Sequence, residues 1–303
     1  MSFFHVIVLA IVQGLAELLP VSSSAHVVVA EKLMGLDPSS PQMTLLLVML
    51  HTGTMFAVIA YFWRQWRQSY FATVNAFKRF ALRLVYATAL TGVVGEALIK
   101  LVEHTMFKGA PKAEIEDLFG RLDMVAPALA CAGILILIAG LREKKLDAVS
   151  AAQAAAASLT RRPTDSVTMR QAGWMGLLQG LALPFRGFSR SGATISTRML
   201  TGATKQCAER FSFAMAVVIT PAAIGREAMR LLHATHAAAA TGSPIDLHGT
   251  LLFSLLGAVF AFLAGLVALK WLSNWLENGR WYWFGIYCLV ASCVVFYLHT
   301  KGY

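Results

Sequence analysis

The sequence predicts an all-α polytopic membrane protein of two inverted repeats, each a re-entrant helical hairpin followed by three transmembrane helices. Composition is the first observation behind this. Of the 303 residues 57% are hydrophobic and only 14% charged, which excludes an ordinary water-soluble domain. The second is a set of six apolar runs long enough to cross a bilayer, roughly 43–63, 82–102, 122–141, 211–232, 251–271 and 281–298. The third is a repeated tetrapeptide: Gln13-Gly14-Leu15-Ala16 recurs as Gln179-Gly180-Leu181-Ala182, each time ahead of a proline and a serine cluster.

The first hairpin is read from residues 3–36. As a helix, residues 3–19 would reach about 25 Å, short of a bilayer core of about 30 Å. Gln13 and Glu17 are four residues apart and so share a helical face, and Pro20 turns Leu19 out of the α conformation. Ser22, Ser23 and Ser24 then suit the start of a second short helix that runs on through Val27. A helix broken in this way is tolerated at membrane depth only under protein or in a wet cavity, and its second start offers free N–H groups to an anion.

The second half repeats this order. Arg142 to Arg170, Ala-rich and carrying Arg161-Arg162-Pro163, reads as a solvent-exposed linker. One membrane domain therefore divides into a first repeat (1–142), a cytoplasmic linker (143–170) and a second repeat (171–303). A hairpin returns to its own side, so three crossings per half leave the second repeat upside down. Loop charge gives the orientation. Arg64, Arg67, Lys78, Arg79, Arg142, Lys144, Lys145, Arg161, Arg162, Arg170, Lys205, Arg210 and Arg280 gather on one side, which the excess of Lys and Arg makes cytoplasmic. Both termini and the mouth of the first hairpin then face outward. No Lys or Arg precedes the first apolar run, so the N-terminus is expected to remain in the mature protein.

The net charge of +10 sits between apolar segments and not in one basic stripe, so nucleic acid is not an expected partner. Cys131, Cys207, Cys288 and Cys293 show no metal-ligand spacing and read as packing residues. Trp63, Trp66, Trp271, Trp275, Trp281 and Trp283 read as interfacial anchors. Glu96, Arg226 and Glu227 fall in apolar spans, where an ion pair is the expected explanation, and His51 reads as a buried hydrogen-bonding residue.

An ionised side chain at the bilayer centre costs about 3 kcal/mol, so Glu17 and Arg190 are expected to find partners where the two hairpins meet. Two half-helix starts, a guanidinium, hydroxyls, an imidazole and one carboxylate suit a phosphate or diphosphate. A lone carboxylate plus substrate oxygens is also a common way to hold Mg²⁺.

These two stretches carry a resemblance. Gln-Gly-Leu-Ala-Glu-Leu-Leu-Pro-Val-Ser-Ser-Ser-Ala-His at 13–26 and Gly-Phe-Ser-Arg-Ser-Gly-Ala-Thr at 187–194 resemble the two signature motifs of the undecaprenyl-diphosphate phosphatases, the bacitracin-resistance family. The resemblance implies hydrolysis of a phosphoric anhydride in the bacterial inner membrane: undecaprenyl diphosphate becomes the monophosphate carrier plus phosphate, with bacitracin resistance as a consequence. Carried over by position, Glu17 is the essential acidic residue and metal ligand. Ser23 and His26 are the reacting pair, and Arg190 belongs with them. Gln13, Ser22, Ser189, Ser191 and Thr194 bind substrate. The family implies a divalent cation, Mg²⁺ or Ca²⁺, a polyprenyl diphosphate partner within the lipid bilayer, and leaves a homodimer open. Three departures stand out: Gln13 where some members carry a second glutamate, Ala25 where glycine is usual, and Phe185-Arg186-Gly187 before the second motif.

The expected chemistry is phosphoryl transfer, with Ser23 attacking or orienting water and His26 moving the proton. The competing class is an inverted-repeat transporter or polyprenyl-phosphate flippase, which shares the architecture but has no use for a placed Ser–His pair. The His–Asp arrangement and Lys-rich motif of type 2 phosphatidic acid phosphatases are not found.

Overall fold

A computed structural model describes residues 2–37, 40–106, 121–154, 167–202, 204–240 and 247–302. Among these there are ten helices and no strand: α1 (Phe3–Leu18), α2 (Ser23–Leu33), α3 (Pro41–Ser69), α4 (Val74–Met106), α5 (Leu122–Ala154), α6 (Met169–Ala182), α7 (Arg190–Leu200), α8 (Lys205–Ala240), α9 (Leu247–Glu277) and α10 (Trp281–Thr300). Six of them, α3, α4, α5, α8, α9 and α10, are long and apolar enough to cross a membrane. The chain is a multi-pass membrane protein.

Local chemistry sets the breaks. Ser2 caps α1, and α1 stops at Leu18 because Leu19, ahead of Pro20, is extended at φ −77°, ψ 151°. Ser22 follows at φ 67°, the single non-glycine residue with positive φ among those described. That conformation is strained for a residue with a Cβ, and it turns the chain sharply into α2. α2 ends two residues before Gly35, also at φ 67°. α6 opens on a capping box, Thr168 with Gln171, and is followed by a second break before α7.

The packing is reciprocal between halves. α1 of the first half lies on α9 of the second, and α6 of the second lies on α4 of the first. Matching glycines make both approaches: a Cβ on Gly14 would come within 2.6 Å of Ala264 Cβ and 2.8 Å of Ala261 O, and one on Gly180 within 2.8 Å of Val94 Cβ and 2.9 Å of Thr91 O. Small residues at a crossing let backbones approach closely where no hydrophobic force drives helices together. α5 and α10 pair with each other, as do α3 and α8. At the far end of α3, Trp66 Nε1 donates to Arg210 O at 3.2 Å and Arg210 Nη1 to Ser69 Oγ at 2.8 Å, so the end of α3 meets the start of α8.

Some expectations change. Trp66 and Trp281 are buried in the protein and do not present their rings to lipid; Trp281 Nε1 donates to Ser196 Oγ at 3.0 Å, tying α10 to α7. α5 runs helically to Ala154, well into the expected linker, of which 155–166 lie outside the described residues. Glu96 pairs at 3.3 Å with Lys100 on its own helix and not with Arg226, because both sit on an exposed face of α4. The side chain of Glu227 lies outside the described residues.

Candidate active site

The two breaks face one another. Ser191 Oγ, at the start of α7, donates to the carbonyl of Leu19 in the first break at 3.2 Å, and the Cys288 thiol of α10 donates to Pro20 O at 3.4 Å. Between the breaks lies a cavity of 290 Å³ whose lining includes Gln13, Glu17, the three serines 22–24, Ser189, Arg190 and Ser191. Its other walls come from α3 (Leu47, Val48, His51), α4 (Ile99) and α8 (Ile219, Thr220, Ile224, Arg226).

Glu17 is the hub. Arg190 Nη2 donates to its Oε1 at 2.5 Å, while Gln13 Nε2 donates to Oε2 at 3.2 Å and the Ser23 hydroxyl donates to the same oxygen. His51 Nε2 stands 3.8 Å from Oε2. The helical spacing of Gln13 and Glu17 thus does what the sequence suggests, placing amide and carboxylate on one face. The carboxylate side chain is 13% exposed and the guanidinium 22%, so this is an ion pair partly withdrawn from water, where charge-assisted bonds are strong.

The second motif is mostly framework. Ser189 caps α7 by accepting from Gly192 N at 3.2 Å. A Cβ on Gly192 would lie 2.6 Å from Ile136 Cδ1, so glycine lets α7 seat on α5. Thr194 is fully buried, donates to Arg190 O at 2.9 Å and shares a 2.5 Å hydrogen bond with Ser212 of α8. It holds the α7 start that carries Arg190 and does not line the cavity. Ser22 and Ser24 both line the cavity and lie 3.3 Å apart, oxygen to oxygen.

His26 is not brought to Ser23. Its Nδ1 bonds Ser22 O at 2.8 Å and its Nε2 bonds Tyr287 Oη of α10 at 2.6 Å, with the two rings stacked 5.7 Å apart. Both ring nitrogens are therefore occupied, and the imidazole lies outside the cavity lining. The expected Ser23–His26 pair is absent from this structure; the partner of the Ser23 hydroxyl is Glu17.

Sequence reasoning missed His51 and Arg226 as cavity residues. A histidine or arginine inside an otherwise apolar span is itself the signal, since such residues usually face a cavity. Among the described residues no group of three or more His, Cys, Asp and Glu converges as a metal site.

The family described as Bacitracin resistance protein BacA matches residues 6–294. The chain belongs to this family. Among similar proteins, Undecaprenyl-diphosphatase 2 of Acinetobacter baylyi is 54% identical over 97% of each chain. Undecaprenyl-diphosphatase 2 of Burkholderia thailandensis is 32% identical over 96% of this chain and 95% of its own. Undecaprenyl-diphosphatase of Parabacteroides distasonis is 28% identical over 97% of each. The family match takes in both hairpins and all six apolar helices up to the last turns of α10.

Proposed function

We propose that this chain is an integral-membrane undecaprenyl-diphosphatase, which hydrolyses the anhydride of the lipid diphosphate to leave the monophosphate carrier and inorganic phosphate. The observation that carries the reading is the hub itself: a hydroxyl, Ser23, already donating to a carboxylate, Glu17, that a guanidinium, Arg190, holds in place. This is a nucleophile, a proton acceptor and a phosphate-reading fork within one cavity. Family membership supports the same reaction, and an inverted-repeat transporter has no need of the nucleophile.

Ser23 either orients the attacking water, whose proton goes to Glu17, or attacks itself with its own proton going to Glu17, after which water cleaves the phosphoserine and releases phosphate. His26 acts as an anchor of α2 on α10. Arg190 swings part of its hydrogen bonding from Glu17 to the transferring phosphoryl oxygens, where a planar fork matches two of them. The hydroxyls of Ser22 and Ser189 and the first turns of α2 and α7 add donors to the same oxygens, while Ser191 holds the two breaks together.

A divalent cation, Mg²⁺ or Ca²⁺, fits this donor set only if substrate completes its ligands. Glu17, with Gln13 and His51 beside it, would hold one edge and substrate phosphate oxygens the rest. Such an ion would supply charge neutralisation on the phosphates.

The loop charges support an orientation in the bacterial inner membrane with the cavity open outward. The cavity is walled by the early part of α3 and the later part of α8, the opposite ends from the Trp66–Arg210 contact that lies among the cytoplasmic arginines. The two repeats are inverted about the midplane in this reading. The purified protein should release phosphate from polyprenyl diphosphate and lose that activity in chelator. Substrate binding without phosphate release would favour a carrier instead.

A further inference from the structure

At the floor of the cavity Glu17 and Arg190 form one ion pair, with His51 Nε2 3.8 Å from the carboxylate. A diphosphate ester brings two phosphates. Two more guanidinium groups line the same cavity, Arg186 from the break before α7 and Arg226 from α8.

Their positions are graded along α8. Ala216, Val217 and Thr220 border the recess that holds Glu17, His51 and Arg190, whereas Ile219, Thr220, Ile224 and Arg226 line the main cavity. Thr220 to Arg226 spans about 9 Å of helix. Arg226 is exposed where Thr220 is half-buried, so it stands at the mouth while the hub lies at the floor. Arg186 is the positive charge acting on Glu31 of α2, a fully buried residue whose carboxyl oxygens accept no hydrogen bond.

We propose that Arg186 and Arg226 form a second phosphate subsite, one that takes the phosphate remaining on the lipid, the leaving group of the reaction. The inference rests on the diphosphatase reading above. In the step, an oxygen from Ser23 or water bonds to the terminal phosphorus and the bond from that phosphorus to the bridging oxygen breaks. The electron pair of the broken bond goes to the bridging oxygen. The lipid monophosphate therefore departs with one more negative charge, which the outer guanidinium groups stabilise, while the attacking group's proton goes to Glu17. The inner site then reads the phosphate that is removed and the outer pair the phosphate that stays.

Product inhibition separates the two subsites. Arg186→Gln alone would leave Glu31 buried without its neighbouring charge, so the variants are Arg226→Gln and the Glu31→Gln/Arg186→Gln pair, with Arg226→Lys as a charge-retaining control. Phosphate release by the purified full chain is measured against added polyprenyl monophosphate and against added orthophosphate. Each Gln variant should raise KM for the diphosphate and weaken inhibition by the lipid monophosphate about tenfold or more, the scale of one charge-assisted hydrogen bond. Orthophosphate inhibition should stay within about twofold of the parent, and Arg226→Lys should recover part of the loss. Parental turnover with unshifted monophosphate inhibition, or a loss confined to orthophosphate inhibition, overturns the subsite alone. A parent that releases no phosphate overturns the diphosphatase reading, and the subsite with it.

Discussion

Arg190 and Glu17, separated by 173 positions in the chain, share a 2.5 Å hydrogen bond that joins the second broken hairpin to the first. Neither half holds a complete site. The carboxylate and hydroxyl come from one break and the guanidinium from the other, so assembly of the two halves and assembly of the chemistry are the same event.

Ser23 and Glu17 should behave as a unit. Ser23→Ala and Glu17→Gln are each expected to lower kcat for phosphate release by about a hundredfold or more, the usual scale for losing a positioned proton-transfer group. The double variant should lose little beyond the worse single. Independent, multiplying losses would mean that the hydroxyl does not use this carboxylate.

Arg190→Lys should fare nearly as badly as Arg190→Ala. An ammonium keeps the charge but not the planar fork, and removing one preorganised donor costs about 3 kcal/mol of transition-state stabilisation. Both variants should elute like the parent in size-exclusion chromatography before kcat is compared. A well-folded lysine variant within about tenfold of the parent would remove the fork from the mechanism.

His26 and Tyr287 give a test of anchoring against proton transfer. Tyr287→Phe breaks the 2.6 Å bond to Nε2 but leaves the imidazole, and should lower stability by about 1 kcal/mol with kcat within a few-fold. His26→Ala should lose stability in the same way and less than about tenfold in kcat. A hundredfold loss at unchanged Tm would restore the proton-transfer role that the sequence suggests.

Glycine crossings predict a contrast in stability. A Cβ at Gly53 or Gly176 would collide with backbone, the carbonyls of Ala258 and Ala87 respectively, whereas one at Gly92 meets nothing within 4 Å. Gly53→Ala and Gly176→Ala should each cost about 1–3 kcal/mol or more, read as a lowered Tm in detergent. Gly92→Ala should be neutral or stabilising by up to about 1 kcal/mol. A uniform response would mean that these crossings are loose.

Orientation can be checked with single cysteines. Lys145→Cys at the far end of α5 should be protected from an impermeant thiol reagent in intact cells, and Lys301→Cys after α10 should react. The reverse pattern would invert the topology and the outward-facing cavity together.

Much of this was legible from residue type alone. Pro20 broke the helix where a proline must, Gln13 and Glu17 fell on one face, and the apolar runs became the six long helices. The destination of His26 was not legible. Three residues after Ser23 it could have turned toward the hydroxyl, and what decides is Tyr287, a contact across 261 positions that no local pattern announces. The bond of Thr194 to Ser212 was not legible for a related reason: it depends on how α7 and α8 pack. Arg226 was visible as a charge in an apolar span, but the face of α8 that it occupies depends on how α8 packs on α3.

The crossed pairing of hairpins and spans also sets an order of assembly during synthesis. When α6 emerges, α4 is already in the membrane to receive it. α1 has no such host, because α9 follows it by about 250 residues, and at 5–20 residues per second the ribosome needs roughly 10–50 s to supply it. Throughout that interval the broken backbone of Leu19 to Ser22 has to be shielded by something other than its final neighbours, so the first hairpin, although the first part to be made, cannot reach its native surroundings until the last two helices have followed.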